Sequence, residues 1–272
     1  MTTDLDLVER LLRAPVDASA IDDGAAWWPV HDAATAGASS TIAAAALGGA
    51  AADRLAWAFS AGYRAALAAL LPELGGLRVA LCATERGGAH PRAIESTLTA
   101  AGDGAFTLRG EKRWTTMALG ADALLVVARV AEGEAARPTL KVARVSVDAP
   151  GVTRTRMPDP PFCPEIDHAE VRFEDVRVEA GAVLAGDGYA DVLKPFRTRE
   201  DAHVLAAALG HVVGSTRRFS LDRGLAERAL ALLVSLERVA LAPPLAWSTH
   251  VALAGVLALA PPLLLELATA LD

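Results

Sequence analysis

The sequence is poor in cysteine and in clustered basic residues, and each shortage narrows what the protein can be. Only two cysteines occur, Cys82 and Cys163, far apart in the chain. They offer neither a disulfide framework nor metal-ligand spacing, so no metal site is expected, and a reducing cytoplasm is the natural setting. Lys and Arg number 26 against 33 Asp and Glu, a net charge of −7, and no basic run appears. That excludes a nucleic-acid binder, which needs clustered cations against the phosphate backbone. The opening "MTTDLDLVERLL" lacks the cationic start of a signal peptide. It reads instead as an amphipathic helix capped by Asp4, with Leu7, Val8, Leu11 and Leu12 on its buried stripe. Finally, no Asp, Glu, Lys or Arg occurs from Val239 to Leu265. A bilayer crossing needs roughly 20 such residues. Two Pro-Pro pairs, Pro243–Pro244 and Pro261–Pro262, interrupt the stretch, and each suits the first turn of a new helix better than a helix interior. The expectation is packed helices with a wide apolar surface and no membrane span.

What is abundant is alanine, the residue that costs least in a helix. Hydrophobic residues make up 53% of the chain. Three zones follow, with domains expected at 1–76, 77–186 and 187–272. The first is helical and includes the Ala/Leu-rich stretch 41–71, with a break expected at Gly48–Gly49. In the second, strand-like runs alternate with Gly, Asp and Pro. "GDG" at 102–104 marks a turn, "ALLVVARV" (123–130) is continuously apolar, and "HAEVRFE" (168–174) alternates strictly. Strands this closely spaced, without helical patterns between them, mean an antiparallel barrel or sandwich. The third zone is helical again, with Thr198 and Asp201 forming a capping-box-like start. The fold class is therefore α+β: an N-terminal helical domain, a central antiparallel β-barrel or sandwich, and a C-terminal helical bundle.

"VALCATERGGAHP" (79–91), "GDGAFTLRGEKRWTTMALGAD" (102–122), "VRFEDVRVEAGAVLAGDGYA" (171–190) and "VLAAALG" (204–210) follow one another in this order. Together they resemble the acyl-CoA dehydrogenase superfamily over roughly residues 50–212. The resemblance implies an FAD-dependent enzyme that introduces a double bond α,β to an acyl-CoA thioester and passes electrons to an electron-transfer flavoprotein. It also implies that Trp114 and Thr116 line the flavin ring, with Thr84 nearby. An indole is a flat apolar wall suited to an isoalloxazine, and a hydroxyl or backbone N–H suits its polar edge. On composition alone, Trp114 could equally be a core residue at a strand end.

The sequence departs from the family pattern in ways that bear on function. After Thr84–Glu85 comes Arg86-Gly87-Gly88-Ala89-His90-Pro91. His90 stands where the family's serine meets the flavin phosphates, although Gly87 still allows close backbone approach. His90 could also be a plain loop residue. The bundle is short, and the family's arginine–phenylalanine–glycine motif is echoed only by "RRFS" (217–220). The catalytic carboxylate of some members lies ten residues before the glycine closing the alanine-leucine-glycine stretch, which implies Glu200 here. An acid in a first helical turn also complements the helix dipole without any catalysis. The alternative function is a non-catalytic scaffold or partner subunit of a heteromeric dehydrogenase. The apolar C-terminal helices imply a homodimer or a heteromer built through them.

Overall fold

The computed structural model describes residues 6–17, 19–74, 76–88, 90–130 and 139–271. Asp4 lies outside them. The chain divides into two compact units, Met1–Glu73 together with Pro195–Asp272, and Leu74–Lys194. The helical zones at the two ends of the sequence thus share one unit and one core.

The helical unit holds α1 (Asp6–Arg13), α2 (Gly24–Thr35), α3 (Thr41–Ala51), α4 (Leu55–Leu70), α5 (Lys194–Arg218), α6 (Arg223–Leu241) and α7 (Trp247–Leu271). Side chains of Asp23 and Ser40 accept from the Ala26 and Ala43 N–H groups and so start α2 and α3. The expected break at Gly48–Gly49 does not occur, because α3 runs through both glycines to Ala51. Their purpose is contact. A Cβ on Gly49 would overlap the Ala207 carbonyl of α5, and Cβ atoms on Gly210 and Gly214 would overlap the carbonyls of Ala46 and Ala50. The helices cross backbone to backbone, a closeness only residues without side-chain bulk permit. Nor does Thr198 start α5. It is buried inside the helix, which is entered through a π-helical turn, Gly188–Leu193, whose N–H groups at Tyr189 and Ala190 are capped by Asp187.

Helix α7 corrects another expectation. Pro243–Pro244 precede it, but Pro261–Pro262 lie inside it. Thr249, Leu253, Val256, Ala260, Leu263 and Leu267 form its buried stripe. Both prolines sit on the exposed side, as do Leu257 and Ala258, whose carbonyls lose their N–H partners there. Those carbonyls can turn to solvent, so the helix continues. By length and composition α7 could cross a membrane.

The second unit is a seven-stranded sheet. Its strands are β1 (Val79–Cys82), β2 (Thr97–Ala100), β3 (Phe106–Thr116), β4 (Ala123–Val130), β5 (Leu140–Ser146), β6 (Val152–Arg156) and β7 (His168–Val178). Antiparallel ladders join β2–β3, β3–β7, β4–β5 and β6–β7. The α+β class holds, but the sheet is mixed, since β1 and the start of β2 pair parallel to β4. Parallel neighbours are buried on both faces and read as unbroken apolar runs. Residues 123–128 of β4 are all buried, as that arrangement requires. In β7, Ala169, Val171 and Phe173 face the core while Arg172 and Glu174 are exposed, matching the alternation in the sequence.

Candidate functional site

Strand β3 carries the candidate platform. Lys112 opposes Val171 on β7 and Thr115 opposes Ala169, so three steps on β3 match two on β7. The extra residue is a β-bulge, a device that re-aims a side chain. Trp114 falls in it with φ 53°, a conformation rare and strained for a bulky residue. Its N–H donates to Met157 Sδ at 3.1 Å, and its ring meets His168 edge-on at 5.9 Å. The indole remains 47% exposed. A core tryptophan would be covered, so the bulge presents this ring instead of burying it.

Thr84 is brought beside this segment by backbone pairing, its carbonyl accepting from Arg113 N–H at 2.8 Å. Thr84 and Thr116 are both half-buried, and no hydrogen bond among the described residues engages either hydroxyl. One flat ring and two uncommitted hydroxyls therefore share one edge of the β unit. That donor set fits the ring of a flavin.

Beneath it lies a pair that inspection of the sequence missed. Lys112 is fully buried and Glu85 nearly so, with Nζ 2.5 Å from Oε1. Lys112 also donates to the Val127 carbonyl at 2.5 Å. Glu85 accepts from Glu95 N–H at 2.6 Å, from Ser96 N–H at 3.1 Å and from Ser96 Oγ at 2.8 Å. Burial works against a charged Glu85, but the Lys112 ammonium and these donors outweigh it and hold the carboxyl below its usual range. Burial lowers Lys112, with Glu85 opposing. Glu85 follows Thr84 and Lys112 precedes Trp114 by two, so the pair bolts the two platform segments together. The signal was present. Counting alternately from buried Leu108 puts Lys112 on the core face, where a lysine demands a partner.

Gly87 and His90 behave differently. Glu85 and Gly88 exchange two backbone hydrogen bonds across a tight turn that needs the positive φ of Gly88. Gly87 is exposed, and a Cβ there would press on Ala93. His90 is exposed and its Nδ1 accepts from Arg92 N–H at 3.2 Å, capping the short 3-10 turn Pro91–Ala93. Both have local structural duties, and among the described residues no cationic side chain is hydrogen-bonded to either.

Glu200 belongs to the helical unit. Phe196 and Val204, one turn before and after it on α5, meet α4: the Phe196 ring is edge-on to Tyr63 at 6.0 Å, and Gly62 lies against the Val204 backbone. Burial, with the neighbouring Asp201 charge, raises the Glu200 carboxyl to about 6, against a small opposing effect of Arg197. No hydrogen bond or ion pair among the described residues engages it. His203 is different. Its ring is held by the Arg199 carbonyl at 2.7 Å and Thr41 Oγ1 at 2.9 Å, and burial pushes it down to about 4, so it is a neutral structural histidine.

Residues 80–176 match the family model for the acyl-CoA dehydrogenase middle domain. Over 102 residues the chain is 34% identical to the probable acyl-CoA dehydrogenase FadE10 of Mycobacterium tuberculosis, a match covering 37% of this chain and 16% of that protein. The match thus spans about a sixth of that relative's length. Butyryl-CoA dehydrogenase from Megasphaera elsdenii superposes with a TM-score of 0.63 at 15% identity, covering 94% of each chain. FMN-bound TdsC from Paenibacillus sp. A11-2 gives a TM-score of 0.63 at 16% identity, covering 84% of this chain and 70% of that one. Sequence over residues 80–176 is similar to the acyl-CoA dehydrogenase middle domain, and the fold over nearly the whole chain is the one butyryl-CoA dehydrogenase has.

Proposed function

We propose that this chain is a flavoprotein that dehydrogenates an acyl-CoA thioester between its α and β carbons, with FAD as the cofactor. When bound, FAD supplies the acceptor for hydride from the β carbon. Trp114 would wall the ring, and the free hydroxyls of Thr84 and Thr116 would orient its polar edge. The Glu85–Lys112 pair keeps those two segments in register. Glu200 would take the α proton, and a carboxyl raised to about 6 is a better base than an ordinary one while still ionised at neutral pH. The flavin of TdsC and the acyl-CoA substrate of butyryl-CoA dehydrogenase, two proteins of similar fold, support this assignment. Electrons would pass on to an electron-transfer flavoprotein. Two free cysteines, Cys82 and Cys163, suit a cytoplasmic setting.

One observation carries the reading. Glu200 is a desolvated carboxyl without a partner among the described residues, and structure rarely tolerates such a group unless function uses it. The test is turnover of an acyl-CoA chain-length series with ferrocenium as acceptor, alongside the flavin absorbance of the purified protein. Glu200→Gln should lower turnover by about 10²–10⁴-fold with flavin content unchanged. Full activity in that variant, or no turnover by the parent chain at any length, would defeat the assignment.

The same reading includes self-association. Leu241, Trp247, Val251, Leu259 and Leu265 are each more than 60% exposed at the α6–α7 end of the bundle. Large apolar side chains left this exposed on one pair of helices are what an interface covers. A second copy of this chain is the occupant proposed.

A further inference from the structure

A cleft of about 760 Å³ opens in the helical unit among α1, α2, α3 and the C-terminal end of α5. Its size lies within the ~300–1,000 Å³ typical of small-molecule sites. None of the platform residues lines it, and neither does Glu200. The floor is apolar: Val30 and Ala34 from α2, Leu47, Ala50 and Ala51 from α3, and Gly214 from α5. Gly214 is the residue that lets α5 touch the Ala50 backbone, so the hollow is a by-product of that close crossing.

The rim is cationic. Arg10 donates to the Gly37 and Ala36 carbonyls at 2.7 and 2.9 Å, beyond the end of α2. Arg217 donates to the Leu11 carbonyl at 2.8 Å, and Arg218 to the carbonyls of Asp17 at 2.7 Å and Ala52 at 3.1 Å. Carbonyl oxygens fix a guanidinium in place without neutralising it. Among the acids at the rim, Glu9 is paired with Arg13 at 2.7 Å, and Asp17 turns to the Ser19 N–H at 2.8 Å; Asp6 completes the set. Among the described residues no carboxylate lies within hydrogen-bond distance of Arg217 or Arg218, although the Asp53 and Asp17 charges act on Arg218 from farther away. Preorganised cations beside an alanine floor call for a ligand that is apolar along its length and negative at one end.

We infer that this cleft binds an aliphatic chain ending in an anionic head, the chain lying over Ala34, Leu47 and Ala50 and the head against Arg217 and Arg218. The site is separate from the proposed chemistry and does not depend on it.

The probe is cis-parinaric acid, whose fluorescence rises in an apolar site, titrated into the purified protein. One saturable site is expected. Ala34→Phe fills the floor and should weaken binding about 10-fold or more at an unchanged melting temperature, a loss of ~1.4 kcal/mol. Ala33→Phe, exposed on the same helix, serves if that variant misfolds. Arg218→Gln should weaken the acid and leave its methyl ester unaffected. Displacement by oleate against 1-oleoyl lysophosphatidate then separates a carboxylate head from a phosphate. The inference is overturned if the filled variants bind as the parent does, or if acid and ester bind alike. It is equally overturned if Leu259→Glu on α7 abolishes the signal, which would place the probe on the exposed helix. Because the readout is neither turnover nor flavin content, failure here and failure of the dehydrogenase reading are distinguishable.

Discussion

Lys112→Met tests the bolt beneath the platform. Methionine keeps most of the volume, so little of the effect is a cavity. What is lost is the ammonium beside Glu85, together with the donor to the Val127 carbonyl. Glu85 keeps three donors from residues 95–96 but becomes an uncompensated charge at 7% exposure. Removing one member of a buried ion pair costs about 3–5 kcal/mol. Glu85→Gln combined with Lys112→Met removes both charges, and the pair should cost about 1–3 kcal/mol less than the two single changes added. Urea unfolding gives the totals. Hydrogen exchange at β3 amides shows whether the loss is centred where the pair lies. Flavin occupancy should also fall in Lys112→Met, although neither residue reaches the ring, because Thr84 and Trp114 lose their common anchor. A cost under about 1 kcal/mol, the value of an exposed pair, would refute the argument, and so would strict additivity.

The raised carboxyl of Glu200 has a stability consequence. Its folded value of about 6 exceeds the ordinary 4.5, so the fold binds the proton more tightly and loses stability as pH rises from 4.5 through 6, by about 2 kcal/mol in all. Glu200→Gln should therefore unfold at higher urea than the parent at pH 8 and at the same urea below pH 4.5; a difference independent of pH would contradict this. His203, held down at about 4, works in the opposite sense, its contribution falling away as pH drops from 6.5 through 4, and His203→Asn should flatten that acid limb of the stability profile. Trp114→Ala should reduce flavin bound per molecule while costing less than the ~3–5 kcal/mol of a core tryptophan; a core-sized loss with flavin unchanged would return Trp114 to the core. Leu259→Glu with Leu265→Glu should convert a micromolar dimer to monomer in sedimentation velocity, and a monomeric parent chain would remove the basis for the α7 interface.

The sequence by itself determined whatever depends on neighbours along the chain. Alternation at 168–174 and the apolar run at 123–130 located β7 and β4, because a strand's faces repeat every two residues. The resemblance carried by the ordered "TERGG" and "GEKRWTT" segments pointed to Thr84, Trp114 and Thr116 as candidates. Properties that depend on what a residue meets across the fold belonged to the tertiary structure. Gly48–Gly49 reads as a helix break, yet α3 continues, because the glycines answer to α5 and not to their own helix. Pro261–Pro262 reads as a start, but the buried stripe of α7 runs on the opposite side and packing outweighs two lost N–H groups. The parallel pairing of β1 with β4 leaves no local mark, since an apolar strand looks the same whichever way its neighbour runs. Glu85 and Lys112 lie 27 residues apart, and only the β3 register and the turn at Gly88 bring their charges to 2.5 Å. Glu200 was placed by spacing, but its raised proton affinity came from the helix packed over it, because desolvation is a property of the assembled core.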